Sequence, residues 1–158
     1  MSERLEGISR AYDFVIPSYG WAIQRMEASA NRIQGLITYA ASLTFAAPVV
    51  VKALNEEADL TSAWFFISLG LFAAIGAVGL GLNLLRRGIK VVDPGHLTED
   101  DWLLLSDEDF KLEMVKVAGV NTAHNVGLIN WRASISDLLT VALILEVVCL
   151  GLWARQAL

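Results

Sequence analysis

The sequence predicts an all-α membrane protein with three transmembrane helices and a helical cytoplasmic stalk. Residues 33–51 and 60–85 carry no charged side chain, and residues 138–154 carry only Glu146. About 20 apolar residues in a helix cross a hydrocarbon core about 30 Å thick, so each stretch is long enough to span a bilayer. Apolar residues also recur every three or four positions before the first and third stretches, which is typical of helices packed along a common seam.

These patterns divide the 158 residues into seven segments. We expect a cytoplasmic N-terminal helix (1–32), transmembrane helix 1 (33–54), an outer loop (55–60), transmembrane helix 2 (61–86), a cytoplasmic connection (87–106), a cytoplasmic stalk helix (107–133) and transmembrane helix 3 (134–155). Pro17 and Gly20 are expected to kink or break the first helix. Ser106 is expected to cap the stalk helix, because a serine hydroxyl can accept a hydrogen bond from a free N–H of the first turn.

Each seam is a specific set of positions. The seam predicted for the first helix contains Ile8, Tyr12, Val15, Tyr19, Ala22, Met26, Ser29, Ile33, Leu36, Ala40 and Leu43. The seam predicted for the last helix contains Phe110, Met114, Val117, Asn121, His124, Leu128, Trp131, Ile135, Leu138, Ala142 and Leu145. We expect the two cytoplasmic segments to pack side by side along these positions.

The distribution of basic residues predicts the orientation in the membrane. With three spans the termini lie on opposite sides, and of the twelve Lys and Arg residues only Lys52 and Arg155 fall on the side of the outer loop and the C-terminus. Loops rich in Lys and Arg stay in the cytoplasm. The expected location is therefore a bacterial inner (plasma) membrane, with the N-terminus cytoplasmic and the C-terminus outside.

Composition argues against several classes of protein. The net charge of −5 disfavours nucleic-acid binding, which needs a basic face. One cysteine and two distant histidines cannot build a Cys/His metal site. The sequence also lacks a phosphate-binding glycine loop and a nucleophile elbow, so we expect no catalytic residues, no cofactor and no enzyme activity.

Glu146 is the candidate polar site within the membrane. Ser42 and Thr44 fall at a similar depth in the first span and could hydrogen-bond to it. One interpretation is a neutral acid that holds the helices together, and the other is a residue of an ion pathway, since ionisable residues inside membranes usually serve function. The sequence leaves both interpretations open.

Two further features concern association between helices. Asn121 and His124 are polar positions on the predicted stalk seam, where such residues fix register and oligomeric state; a small-ligand or proton-sensing site is the alternative. Gly70, Ala73, Ala77 and Gly81 form a stripe of small residues on the second span. Such stripes let helix backbones approach closely, either inside one bundle or between copies of the chain.

The layout resembles the small membrane effector domains of bacterial anti-phage signalling systems, of the Pycsar and SLATT types. The resemblance is carried by the segment from Arg25 to Leu36 before the first span and by Ser106 to Lys111 at the start of the late helix. It implies an oligomer that damages the inner membrane when triggered. We therefore expect an oligomer that forms or gates a pore, with a non-catalytic accessory or scaffold subunit as the alternative. The expected partners are the lipid bilayer, other copies of the chain and a cytoplasmic protein.

Overall fold

The structure, a computed structural model, contains three long α-helices in the part of the chain that it describes. It describes residues 2–84, Lys90, Trp102 and 104–158, and within these residues there is no strand. The helices are α1 (Ser2–Leu54), α2 (Ala63–Leu84) and α3 (Asp107–Ala157). All three are long and apolar enough to cross a membrane. Most of the predicted cytoplasmic connection lies outside the described residues.

The start of α3 follows the predicted capping arrangement. The Ser106 hydroxyl accepts a hydrogen bond from the backbone N–H of Asp109 at 3.2 Å and donates one to the Asp109 carboxylate at 2.8 Å. This pairing satisfies one of the free N–H groups of the first turn. Three acidic residues in that turn also oppose the positive end of the helix dipole.

The expected break at Pro17 and Gly20 is wrong, because α1 continues through both residues. Proline lacks a backbone N–H and leaves the carbonyl four residues earlier without its helical partner. The Ser18 hydroxyl donates to the carbonyl of Phe14 at 2.8 Å, which adds a hydrogen bond beside that gap. Side-chain hydroxyls of this kind help helices to tolerate an internal proline.

The chain forms two compact units, and α1 and α3 contribute to both. Unit 1 contains Met1–Ala28 and Arg87–Trp131, and unit 2 contains Ser29–Arg86 and Arg132–Leu158. In unit 1, Ala22 and Met26 of α1 pack against Ile129 of α3. Near the start of α3, the rings of Trp102 and Phe110 meet edge to face, with centroids 5.8 Å apart.

Unit 2 is held together by two apolar clusters that involve α1, α2 and α3. The first contains Ile33, Leu36, Ala40, Ile75, Leu82 and Leu139. The second contains Val51, Ala58, Leu150 and Trp153. The loop between α1 and α2 is attached to the end of α3, because the indole N–H of Trp153 donates to the carbonyl of Asp59 at 2.9 Å.

The predicted seam of α1 is largely confirmed, whereas that of α3 is displaced by one residue. In α1, Ala22, Met26, Ile33, Leu36 and Ala40 are all buried, and the buried series then continues at Thr44 instead of Leu43. In α3 the buried positions are Ala118, Asn125, Ile129, Arg132, Ser136, Leu139, Glu146, Cys149, Leu150 and Trp153. They keep the predicted spacing, but several predicted seam residues, such as Leu138 (65% exposed), face outward.

Candidate functional site

Several polar side chains of unit 2 are buried inside it. Thr44, Ser68, Arg132, Ser136 and Glu146 are at most 2% exposed. The outward positions of the same helices carry large apolar side chains, among them Phe45, Val49, Phe66, Val141 and Val148. This is the reverse of a water-soluble helical bundle, in which an apolar face is buried and polar residues face solvent.

Two of these enclosed polar residues, Thr44 and Glu146, form a pair. Glu146 has no exposed surface and Thr44 is 2% exposed. The threonine hydroxyl of α1 donates a hydrogen bond to Oε1 of the glutamate on α3. No donor in the structure reaches the other carboxyl oxygen, Oε2, which is buried as well. A buried oxygen without a partner is costly, so this carboxyl group is the strongest candidate for a functional role.

The apolar clusters of unit 2 separate the pair from other polar groups. Along α3, Leu139 of the first cluster precedes Glu146 and Leu150 of the second cluster follows it. Along α1, Ala40 and Val51 flank Thr44 in the same order. The glutamate therefore occupies a small polar site between two apolar layers.

Ser42 does not take part in this site. Its side chain is exposed and lies in an apolar groove of about 400 Å³ between α1 and α3, together with Tyr39, Leu43, Ile144 and Val148. Ser42 and Thr44 are two residues apart on a helix, and such residues point about 200° away from each other. Ser42 and Thr44 were predicted at a similar depth in the first span, but only the Thr44 hydroxyl reaches Glu146.

Asn121 and His124 do not lie on the buried side of α3. Asn121 is half-buried and His124 is exposed, whereas the next residue, Asn125, is 1% exposed. The Asn125 amide donates to the carbonyl of Lys90 at 3.0 Å and accepts from the Lys90 N–H at 3.1 Å. The Tyr19 hydroxyl also donates to the Lys90 carbonyl, at 3.1 Å. Asn125 thus holds Lys90, a residue of the predicted connection, against α3 within unit 1.

Arg132 is a buried charged residue that sequence analysis did not identify as part of a site. It is 2% exposed, and its guanidinium donates to the carbonyl of Leu82 at 2.9 Å. The last carbonyls of a helix lack intrahelical partners, so this contact satisfies one near the end of α2. A signal was present in the sequence, because Arg132 precedes Glu146 by two heptads and so falls on the same face of α3.

An exposed salt bridge also joins α1 and α3 in unit 2. The Arg32 guanidinium donates to the Asp137 carboxylate at 3.0 Å and to the Thr140 hydroxyl at 3.3 Å. Both charged side chains are more than half exposed, so the pair differs from the enclosed glutamate. It offers a matched comparison, since Asp137 and Glu146 are acids on the same helix.

The stripe of small residues on α2 faces outward. Gly70, Ala73 and Ala77 are exposed and Gly81 is half-buried, while the buried side of α2 carries Ser68, Ile75, Gly79 and Leu82. Gly79 is the glycine that packs inside the unit: a Cβ atom there would lie 2.7 Å from Cδ1 of Ile37. A Cβ at Gly70 or Gly81 would meet nothing within 4 Å. The small stripe is therefore not a contact within the chain.

The loop of residues 55–62 borders a polar cavity of about 370 Å³ at the end of α3, lined partly by Asn55, Asp59 and Gln156. The Asn55 amide donates to the carbonyl of Ala157 at 2.7 Å, and the Ser62 hydroxyl donates to Gln156 at 3.2 Å. The pKa of Asp59 is lowered, first by the hydrogen bond from the Thr61 hydroxyl and second by that from the Thr61 backbone. These contacts order the loop.

In the part of the chain that the structure describes, no group of His, Cys, Asp and Glu side chains could hold a metal ion. Comparisons with protein-family models, curated proteins and solved structures found no match. The class defined by the fold and the site is thus a helical protein with three helices able to span a membrane and an enclosed Thr–Glu pair.

Proposed function

We propose that this chain is a non-catalytic integral protein of the bacterial inner membrane, with a cytoplasmic N-terminus and an outer C-terminus. The observation that supports this proposal is the burial of Thr44, Ser68, Ser136 and Glu146 in unit 2, together with the large apolar side chains at its outward positions. Hydrocarbon does not drive apolar side chains together, whereas polar groups inside a bilayer must be enclosed. The excess of Lys and Arg in the N-terminal segment and the connection supports the orientation.

The proposed activity is to form or gate a pore as an oligomer. The outward stripe on α2 supports association, because small residues let helices of different copies approach closely. Glu146 supports an ion pathway, since a carboxyl group at this depth is costly and is usually retained for function. A ring of carboxylates in such a pathway would favour cations.

The enclosed position of Glu146 implies a gated pathway. The carboxyl group contacts Thr44 of its own chain and is closed off by apolar layers on both sides. Conduction through this point would require α1 and α3 to separate near Thr44. In this proposal the enclosed arrangement of Glu146 is the closed state of the pore.

The resemblance to anti-phage effector domains suggests when such a pore would open. In this proposal a phage-induced trigger opens the assembly, and loss of the membrane potential stops growth of the infected cell. A plaque assay with and without the gene tests this role. A nucleotide cyclase encoded next to the gene would support it, and neighbouring respiratory or transport genes would support an accessory role instead.

A second candidate is a non-catalytic accessory or scaffold subunit of a larger membrane complex. The closed Thr44–Glu146 pair favours it, because a carboxyl group that only links α1 and α3 needs no pathway to solvent. In that case the stripe on α2 would contact a helix of another protein. The two candidates differ in whether the purified protein conducts ions.

Ion flux into proteoliposomes distinguishes the two candidates. We expect the wild-type oligomer to pass cations and E146Q to lose cation selectivity while still assembling. D137N is the matched control, since it removes an exposed acid from the same helix and should leave selectivity unchanged. A wild-type oligomer that conducts nothing in the presence of a membrane potential or infected-cell extract would favour the scaffold subunit.

A further inference from the structure

Unit 1 has an outward face on α1 that carries large apolar side chains between cations. Phe14 is 74% exposed and Trp21 is 52% exposed. They are seven residues apart and therefore lie on one side of the helix. Arg25 stacks over the Trp21 ring at 4.3 Å from its centroid, and Arg10 lies one turn before Phe14. Exposed aromatic residues grouped in this way are typical of an interaction surface.

α3 has an outward face of complementary character in the same unit. Lys116, Val117, Val120 and Asn121 line an apolar hollow of about 280 Å³, and Val120 is 65% exposed. Asp109 and Glu113 precede the hollow on the same side of the helix. This face lies beside the buried series of α3, because Val117 and Asn121 are half-buried and Asn121 lies one turn before the buried Asn125.

The two faces match in charge. Acids precede the hollow on α3, whereas Arg10 precedes Phe14 on α1. Arg10 pairs with Glu6 at 2.9 Å, and Glu113 pairs with Lys116 at 2.5 Å. Exposed pairs one helical turn apart contribute little, about 0.3–0.5 kcal/mol, so they can exchange for contacts with another chain.

The two faces also match in height. Met26 packs against Ile129. The pKa of Lys111 is raised chiefly by its hydrogen bond to Asp107, and Asp13 of α1 adds a smaller electrostatic contribution in the same direction. In unit 1, α1 and α3 therefore run in the same direction. Phe14 follows Asp13 directly, so it lies near the level of Glu113 and Val117.

We propose that Phe14 of one copy inserts into the hollow around Val120 of a neighbouring copy, with Arg10 next to Glu113. This inference rests on the proposed self-association and specifies its geometry. Copies held at one depth by a membrane bring surfaces of equal height together. Because the two faces differ, the contact is head-to-tail, and such contacts close into rings when the rotation between copies allows it.

Disulfide cross-linking between copies tests this contact. Two differently tagged chains, one carrying F14C and the other V120C, are co-expressed in a C149A background and oxidised in the membrane. We expect the mixed dimer to form with either tag order, and each single variant to give little dimer with itself. D13C replaces F14C as the matched control, since it has the same height but points about 100° away.

A separate measurement links the contact to assembly. F14D should shift the equilibrium toward monomer by roughly tenfold or more, because burial of a large apolar side chain contributes about 1.5–3 kcal/mol. D13N should leave the equilibrium unchanged. The two substituted positions lie at nearly the same height along α1 but on different faces of the helix.

Three other experimental outcomes would each overturn the inference, and each has a different implication. A wild-type oligomer with no F14C–V120C dimer would mean that copies associate through other surfaces, and the proposed self-association would survive. F14C dimers formed by the F14C chain alone would indicate a two-fold contact instead of a head-to-tail one. Protein that is monomeric at every concentration would remove both the inference and the proposed oligomer.

Discussion

At the residue scale, the hydrogen bond from Thr44 to Glu146 accommodates an ionisable side chain inside unit 2. The carboxyl group retains one hydrogen bond and one oxygen without a donor. Serine or threonine partners are common solutions inside membranes, where an unpaired polar group has no water to contact. The pair therefore couples α1 to α3 through a single polar contact within an apolar interior.

The first prediction concerns this coupling. We expect T44V to destabilise unit 2 by about 1–3 kcal/mol, because it leaves the whole carboxyl group without a donor. The double variant T44V/E146L should be more stable than the sum of its single variants predicts, with a coupling energy of about 0.6–1.7 kcal/mol. Unfolding equilibria of all four proteins in a mixed micelle measure this energy. Strictly additive effects would mean that the hydrogen bond contributes nothing.

The second prediction concerns Asp59 in the loop between α1 and α2. Its folded pKa is lowered from 3.8, chiefly by hydrogen bonds from Thr61, so its ionised form stabilises the folded loop. That contribution is present above the unfolded pKa and is lost as pH falls through the lower folded value. We expect T61V to raise the pKa of Asp59 toward 3.8, and S62A to leave it unchanged. NMR titration of the carboxyl carbon checks both, and equal pKa values in wild type and T61V would contradict the assignment.

At the element scale, α2 presents two different surfaces of small residues. Gly79 faces α1, where Ile37 would contact an added Cβ, whereas the stripe from Gly70 to Gly81 faces outward. Both surfaces fit the small-residue pattern that allows close helix packing. The contacts that each position makes show whether its small residue serves packing inside the chain or is available for association between chains.

The third prediction follows from this difference. We expect G79V to destabilise the monomer by about 1–3 kcal/mol, because the added side chain overpacks the contact with α1. A77V is the matched control on the outward stripe and should leave monomer stability nearly unchanged while weakening self-association. Thermal unfolding and mass measurement in mild detergent give the two readouts. A loss of monomer stability in A77V equal to that in G79V would place the stripe inside the fold.

At the scale of the whole molecule, α3 presents a buried polar face and an outward face that carries the predicted seam. Asn121 lies on the outward side, and the neighbouring buried position is Asn125, which binds Lys90. Polar residues on a seam between copies fix register and oligomeric state. The effect expected of Asn121 and His124 therefore concerns assembly, whereas that of Asn125 concerns folding.

The fourth prediction uses this contrast. Replacing Asn121 and His124 together by leucine should broaden the distribution of oligomers in mild detergent. N125L should instead cost about 1–3 kcal/mol of monomer stability, because it leaves the N–H and C=O groups of Lys90 without this partner. Mass photometry and thermal unfolding distinguish the two effects. A single unchanged oligomer in N121L/H124L would show that neither residue contributes to assembly.

The sequence by itself determined the helical class, the three apolar helices long enough for a membrane and the capped start of α3. These features depend on local composition and segment length, and both are evident from the sequence without knowledge of tertiary contacts. It also offered Ser42 and Thr44 as partners of Glu146 from their similar depth, and only Thr44 forms the hydrogen bond.

Only the tertiary structure decided which side of each helix faces inward. The spacing along α3 was predicted correctly, but the buried positions fall one residue after the predicted ones and include Ser136, Leu139 and Glu146 in the proposed third span. The physical reason in this part of α3 is that apolar periodicity marks the inside of a helix bundle only when water is the solvent. Where the surroundings are hydrocarbon, apolar side chains can point either way, and the polar residues identify the interior.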